Sequence, residues 1–525
     1  MKGLTAGKDL IIGIDAGTSV IKSIAFNMDG KLIDSASINN EYHLLNGGGA
    51  EQDQALTWHS TAKTLKQLSQ QLPDLANRVA AVAVTGQGDG TWLIDNAGKP
   101  VHNALLWLDA RAADMAEQKA AEPGNKQRFT ITGTGINGCQ QGSQLLWLKH
   151  NKPDVLNAAA SALHCKDWLY YNLTDELATD PSEGNFTFGD FRSRNYAQEV
   201  IEFMDLASHQ HLLPPIVDGT THSHALSTTA AAKTGLLAGT PIVLGYVDVM
   251  CTALGGGLYD PDCDPGCSII GSTGMHMKLV RGADNVVLND DCTGYTMCMP
   301  IPGVYSQMQS NMSATLNIDW LLDTAVDLLK RCGVDKSRQD LLPLLDDWVG
   351  NARPASVLYQ PYISEAGERG PFIDASARAG FTGLSTSHDF GDLARSVFEG
   401  LSFAARDCYA AMGGAPDEIR ITGGAARSTQ LVKILSSTLG SNIRTSDVAE
   451  AGAAGAAMMA AVSIGQFETM DECARQWVVP HLGSITKPDA ELAEQYESLF
   501  PAYQQTRQSL TGSWKAMSQH RLANA

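Results

Sequence analysis

Positive charge is what this 525-residue chain most lacks: 38 Lys+Arg face 57 Asp+Glu, a net charge of −19 at pH 7. A protein that grips a phosphate backbone needs a basic face, so nucleic acid is excluded as a partner. A nucleotide is not excluded, because backbone N–H groups can cradle phosphates without net positive charge. Cysteine is sparse as well. Ten cysteines are too few for a disulfide scaffold, and no CxxC pair occurs. The closest pair, Cys263 and Cys267, lacks the second close pair and the His in register that a zinc site wants. Cys267 opens the apolar run Cys-Ser-Ile-Ile, where a thiol behaves as a small buried hydrophobe, so no metal is expected there. Reduced cysteines fit a cytoplasmic protein. Long apolar runs are missing too. The longest, near Ala453–Val462, falls well short of the ~20 residues that span a bilayer. Met1–Lys8 is short and polar and leads straight into Leu10–Ile14, with no signal-peptide pattern. The expectation is a cytoplasmic protein without a membrane partner.

What is present reads as a globular α/β chain. Hydrophobic residues make up 44% and charged residues 18%, enough for a sizeable core, and domains of roughly 100–200 residues predict two large units. Leu10–Asp15, Val20–Asn27 and Lys31–Ile38 read as strands joined by tight turns, the second being Asp29-Gly30. Trp58–Leu72 has helical periodicity, Val79–Thr85 is a short buried strand, and Trp107 to Leu212 is mainly helical with loops at Pro123-Gly124 and Asp180–Asn185. A second start follows: strands at Pro241–Gly245, Ser268–Gly271 and Met275–Val280, a helix at Asp392–Met412, and a strand at Glu418–Thr422. Helices at Gln430–Leu439 and Gly452–Ile464 complete it. The same theme occurs twice, which places a boundary near residues 245–250 and a ligand cleft between the halves.

Three strand-end turns carry the first candidates for chemistry. Asp15-Ala16-Gly17-Thr18-Ser19, with Lys22 beyond, offers N–H and hydroxyl donors to phosphate oxygens, and Asp15 could hold a hydrated Mg²⁺. It lacks the Walker A pattern, and an Asp-capped turn is the plain alternative. Gly271-Ser272-Thr273-Gly274 repeats the arrangement in the second half. Thr422-Gly423-Gly424-Ala425 would let a flat base or ribose approach the backbone, or is an ordinary strand-to-helix turn. Asp248 differs in kind. In Gly245-Tyr246-Val247-Asp248-Val249-Met250 it is an acid in an apolar setting, either a helix cap or a functional base.

Taken together, in this order and at these distances, the turns resemble the FGGY family of carbohydrate kinases. The most specific segment is Ala379-Gly380-Phe381-Thr382-Gly383-Leu384, followed after seven residues by Asp392-Leu393-Ala394-Arg395-Ser396-Val397-Phe398-Glu399. Glu51-Gln52-Asp53, Trp107–Arg111, Lys166–Leu169, Leu173-Thr174-Asp175 and Gly367–Pro371 match as well. Gln144 departs from the usual Lys, which touches a surface or hinge contact. The resemblance implies two actin-like (ribonuclease H-like) ATPase domains with a cleft between them. Residues 1–247 would carry the sugar site and the first phosphate turn, and residues 248–525 the adenosine site and the second. It implies ATP and Mg²⁺, with Thr18, Ser19, Lys22, Gly271, Ser272 and Thr273 at the phosphates and Gly423, Gly424 and Ala425 at adenosine. Asp15 and Asp248 would lie near the metal, and Asp248 would act as catalytic base. Phosphate turns on both halves imply hinge closure.

The same resemblance places the segment after Val79–Thr85 at the sugar hydroxyls. Here it reads Gln87-Gly88-Asp89-Gly90-Thr91-Trp92, without the Arg-Glu pair of glycerol kinases or the Met-His pair of xylulose kinases. Gly88 would open space, and Asp89 offers two acceptor oxygens to neighbouring hydroxyls, with a turn role as its alternative. Trp92 and Trp107 are either pocket walls or core. The run Ile14–Lys22 and this segment look most like the family's erythritol-phosphorylating members. The expected partners are therefore a short linear polyol and ATP, with a ketopentose next and glycerol after it. Whether the chain forms a homodimer stays open, and a non-catalytic actin-like nucleotide-binding protein is the rival from another class. A chaperone-type ATP hydrolase is not supported, because no substrate-binding β domain or lid is apparent after the second half.

Overall fold

Two apolar runs, Leu10–Ala16 (β1) and Val79–Gly86 (β4), are buried along nearly their whole length, as strands covered on both faces must be. They pair in parallel, while β1 runs antiparallel to Val20–Asn27 (β2), which pairs in turn with Leu32–Asn39 (β3). His224–Ala225 (β5) and Pro241–Leu244 (β6) complete a six-stranded sheet of order β5-β6-β4-β1-β2-β3. The structure, a computed structural model, describes residues 7–524; residues 1–6, most of the polar lead-in, lie outside the described residues.

The second half repeats the plan. Gly266–Ile270 (β7), Gly274–Arg281 (β8), Tyr295–Cys298 (β9), Val304–Asn311 (β10), Glu418–Thr422 (β11), Asn442–Ser446 (β12) and Leu482–Thr486 (β13) form a seven-stranded sheet of order β9-β10-β8-β7-β11-β12-β13. β7 is antiparallel to β8 and parallel to β11, as β1 is to β2 and β4. The turns after β1, β7 and β11 therefore open at corresponding strand ends.

Two helices of small residues join the halves: Asp248–Gly256 (α1) after β6 and Ala451–Ser463 (α2) after β12. They cross in backbone contact. A Cβ on Gly255 would stand 2.2 Å from the Ala451 carbonyl oxygen, and one on Gly455 would stand 2.0 Å from that of Cys251. The Ala/Gly composition of 451–463 thus serves close helix packing, and α2 also lies against β1 and β4 of the other half. One apolar core runs through this junction.

Element ends differ from the periodicity where polar caps decide them. The helix expected from Trp58 starts at Gln54, because Asp53 accepts from the Leu56 N–H at 2.9 Å. The one expected from Asp392 starts at Phe390, because Asp389 accepts from the Asp392 N–H at 3.1 Å. Asp180–Asn185, read as a loop, holds a helix at Pro181–Phe188 (α3) that is buried on every side and so shows no amphipathic period. Gln144 is also a correction. It lies in the core at 0% exposure and donates to the Leu106 carbonyl at 2.9 Å, so it is no surface contact. Cys267 is buried and Cys263 exposed. Among the described residues no helix is long and apolar enough to cross a membrane.

Candidate active site

The turn after β1 is held by a closed set of hydrogen bonds. The Trp107 indole N–H donates to Thr18 Oγ1 at 2.9 Å, and Thr18 Oγ1 donates to Gln87 Oε1 at 2.9 Å. Gln87 Nε2 donates to Gln52 Oε1 at 2.7 Å, and Gln52 Nε2 returns to the Thr18 carbonyl at 3.2 Å. Thr18 and Trp107 line a cavity, whereas Gln87 is 2% exposed with both ends of its amide used. The expectation that Gln87 contacts substrate is corrected: its part is to fix Thr18. Trp92 is plain core, fully buried.

The cavity has a volume of about 190 Å³, below the roughly 300–1,000 Å³ of clefts for drug-sized ligands. From the first half it is lined by Thr18, Gly88, Asp89 and Trp107; from the junction and second half by Asp248, Thr273, Tyr295, Met308 and Arg369. Gly88 does not open space as expected. A Cβ there would meet Val247 Cγ2 at 2.4 Å, so the glycine admits Val247. Asp89 combines both readings of its sequence. It has φ +55°, a left-handed turn conformation, and it lines the cavity. Burial pushes that carboxyl above its usual range.

A buried ionic cluster behind the wall sets this geometry. Lys166 Nζ lies 2.7 Å from Asp167, 2.6 Å from Asp180 and 2.6 Å from Glu183, all with side chains at 0% exposure. Glu183, on α3, turns its other oxygen to the Asp89 N–H at 3.0 Å. Ser182, bonded to Asp180, accepts from the Val247 N–H at 3.1 Å. The cluster thereby holds the backbone on both sides of the cavity, next to Asp89 and next to Asp248. Among the described residues, His164, Asp167 and Glu183 are the one group of three ligand-type side chains close enough to share a metal ion. The Lys166 ammonium already supplies the positive charge there.

Asp248 opens α1, its Oδ1 accepting from the Val249 N–H at 2.6 Å. Burial pushes its carboxyl up to about 8, and the charge of Asp15 adds to the shift. Asp15, at the end of β1, is pushed to about 6 by burial, against the pull of Lys22 and with a push from Glu450. These acids share no ammonium of the Lys166 kind. Lys22 is itself a correction: it forms an ion pair with Glu450 at 2.7 Å and presents no free ammonium to a phosphate.

The nucleotide-side candidates are backbone features. Thr273 lines the cavity, and Ser19 and Ser272 are exposed at their turns. Gly423 has φ +97°, and a Cβ there would meet the Ile270 carbonyl at 2.6 Å. Gly424 is exposed with nothing within 4 Å of a Cβ, and Ala425 is buried behind it.

Residues 10–255 match the FGGY family of carbohydrate kinases, N-terminal domain, and residues 285–464 match its C-terminal domain. The chain belongs to the FGGY family of carbohydrate kinases. This kinase is 53% identical to an erythritol kinase of Brucella abortus (strain 2308) over 518 residues, 99% of each chain. It is 28% identical to a xylulose kinase of Staphylococcus epidermidis over 95% of this chain and 98% of that one. Its fold is that of the Lactobacillus acidophilus xylulose kinase structure, with a TM-score of 0.85 at 23% identity, over 97% and 99% of the two chains.

Three groups of the kinase's site escaped the reading of its sequence. Glu183 was hidden in α3, although Asp180-Pro181 followed by Glu183 is a helix-start pattern. Tyr295 and Arg369 come from the second half, and neither strand nor loop periodicity says that they meet Asp89. Gly367–Pro371 was matched to the family but carried no role.

Proposed function

We propose that this kinase transfers the γ-phosphoryl group of ATP to a terminal hydroxyl of a short linear polyol of the erythritol class. The observation that carries the reading is Asp248. It is an acid with a proton affinity near neutrality, in a small cavity whose walls come from both halves and include both phosphate-side threonines. A base of that affinity is matched to taking a proton at pH 7. As the polyol oxygen bonds to the γ-phosphorus, its proton passes to the Asp248 carboxylate, and the bond from phosphorus to the departing ADP oxygen breaks. Residues 1–247 supply Asp89 and the first phosphate turn. Residues 248–525 supply Asp248, the second turn and the exposed Gly424 face for adenosine.

A divalent cation fits the same place. Burial raises the proton affinity of both Asp15 and Asp248, the charge of Asp15 adds to that of Asp248, and Lys22 offsets only part of the cost at Asp15, a charge set that a Mg²⁺ ion would relieve. When bound, Mg²⁺ would neutralise phosphate charge. A cytoplasmic setting, where ATP is available and thiols stay reduced, belongs to the same reading.

The 53% identical erythritol kinase supports the polyol, and the 28% identical xylulose kinase supports a ketopentose as the second reading. A non-catalytic nucleotide-binding role is disfavoured by the convergence of Asp89, Asp248 and Arg369 on one largely apolar cavity. The test is kcat/KM for erythritol, glycerol, D-xylulose, D-ribulose and L-ribulose. Erythritol is expected to lead. A ketose ahead by roughly tenfold, about 1.4 kcal/mol of transition-state preference, would replace the polyol reading.

A further inference from the structure

Two of the residues that line the cavity each have a buried polar atom without a hydrogen-bond partner in the protein: Asp89 Oδ1 and Arg369 Nε. They come from opposite halves of the chain and from segments held rigidly in place. The Asp89 backbone is fixed by Glu183, and Asp89 Oδ2 accepts from the Cys139 thiol at 3.3 Å, leaving Oδ1 open. On the other side, Glu368 Oε1 accepts the Met312 and Arg369 N–H groups, each at 2.9 Å. Asn311 Nδ2 donates to the Gly370 carbonyl at 2.9 Å, which ties the loop to the end of β10. The backbone around Arg369 is thus spent on anchoring, while its side chain faces the cavity.

A buried donor and a buried acceptor left open in one small space describe the group that completes them. An alcohol oxygen accepts from an N–H and donates its own proton at once. A carbonyl oxygen accepts from Arg369 but has nothing to give Asp89. A carboxylate has the same fault: it accepts from Arg369 but has no proton to give Asp89. We propose that Arg369 is a specificity residue of this kinase: with Asp89 it binds one substrate hydroxyl across the two halves, and so rejects a compound with a carbonyl, a carboxylate or no hydroxyl at that carbon. This deepens the reading of the substrate given above and rests on it.

The test is calorimetric binding without turnover, using erythritol and its deoxy analogues butane-1,2,3-triol and butane-1,2,4-triol in the presence of a non-hydrolysable ATP analogue. The wild-type kinase is expected to bind erythritol at least tenfold more tightly than one of the triols, because a site built for a hydroxyl rejects the compound lacking it. Arg369→Gln is expected to lose that ratio, to within about threefold, by weakening erythritol and sparing the triol, with binding of the ATP analogue unchanged. A merely structural Arg369 would weaken all the polyols alike. A folded Arg369→Gln protein that keeps the wild-type ratio overturns the proposal. If that variant does not fold, Asp89→Asn decides the matter, and an unchanged ratio there overturns it equally. Erythritol that fails to bind the wild-type protein would instead sink the substrate reading, so the two failures are distinguishable.

Discussion

Two groups of buried acids lie within one wall's thickness of each other, and they are built on opposite terms. Asp167, Asp180 and Glu183 surround the Lys166 ammonium at 2.6–2.7 Å, and Lys166 holds its proton well above the ordinary lysine range. Asp89 and Asp248 line the cavity, with Asp15 at the end of β1 behind Asp248; no ammonium contacts all three, Lys22 and Arg369 only partly offset the charge of Asp15 and Asp89, and burial raises the proton affinity of each acid. Both groups face the same desolvation cost. In the first, pairing with Lys166 holds Asp167 below its usual range, while burial still pushes Glu183 up to about 7, so the offset is strongest at Asp167. In the second the cost is left for a proton, a cation or a substrate hydroxyl to relieve. The contrast separates framework from chemistry more clearly than residue type does, since both sets are carboxylates.

The largest expected effect comes from breaking the support. Lys166→Met leaves three buried carboxylates without their cation, and removing one partner of a buried pair typically destabilises by about 3–5 kcal/mol. Urea unfolding should show a loss of that order together with weaker polyol binding. A midpoint close to wild type would mean that the cluster is not ionised as a unit.

The open group should behave in the opposite sense, and pH sharpens the difference. Asp248 stands near 8 in the folded chain against an ordinary 3.8, so between those values the folded state keeps a proton that the unfolded state has released. Stability contributed by this group is therefore full below about pH 4 and falls as pH rises towards 8. At about 1.4 kcal/mol per pKa unit, the fall is at most several kcal/mol. Asp248→Asn removes the titration. In EDTA, its stability relative to wild type should rise steadily from pH 5 to pH 8. A constant difference across that range would contradict the raised affinity of Asp248.

The smallest effect belongs to Lys22 and Glu450, whose side chains are 37% and 34% exposed. Exposed pairs contribute about 0–1 kcal/mol. Lys22→Met is expected to change stability by less than about 1 kcal/mol and the KM for ATP by less than about threefold. A tenfold rise in that KM would restore the phosphate role that the sequence suggested for Lys22.

The strand-end turns were legible in the sequence because glycine, threonine and serine after an apolar run have few other uses, and the repeated plan of two halves followed from them. Asp248 was legible as an acid out of place in an apolar stretch. The Lys166 cluster was not, because its members are spread over residues 166–183 on two helices, and the one that carries Glu183 is buried on every face. Arg369 was visible only as part of a matched motif, since its partner Asp89 lies 280 residues away. Gly88 and Lys22 misled for a shared reason. Composition shows that a side chain is small or charged, not whether Val247 or Glu450 has already taken the space or the charge beside it.

The account turns on Asp248 as the group that takes the polyol's proton. Its most direct test is erythritol-dependent ADP formation by wild type and Asp248→Asn, with binding of erythritol and of an ATP analogue measured on the same preparations. Loss of a general base predicts turnover lower by roughly 10²–10⁴-fold with both ligands still bound. Wild-type turnover in the folded variant would contradict the account.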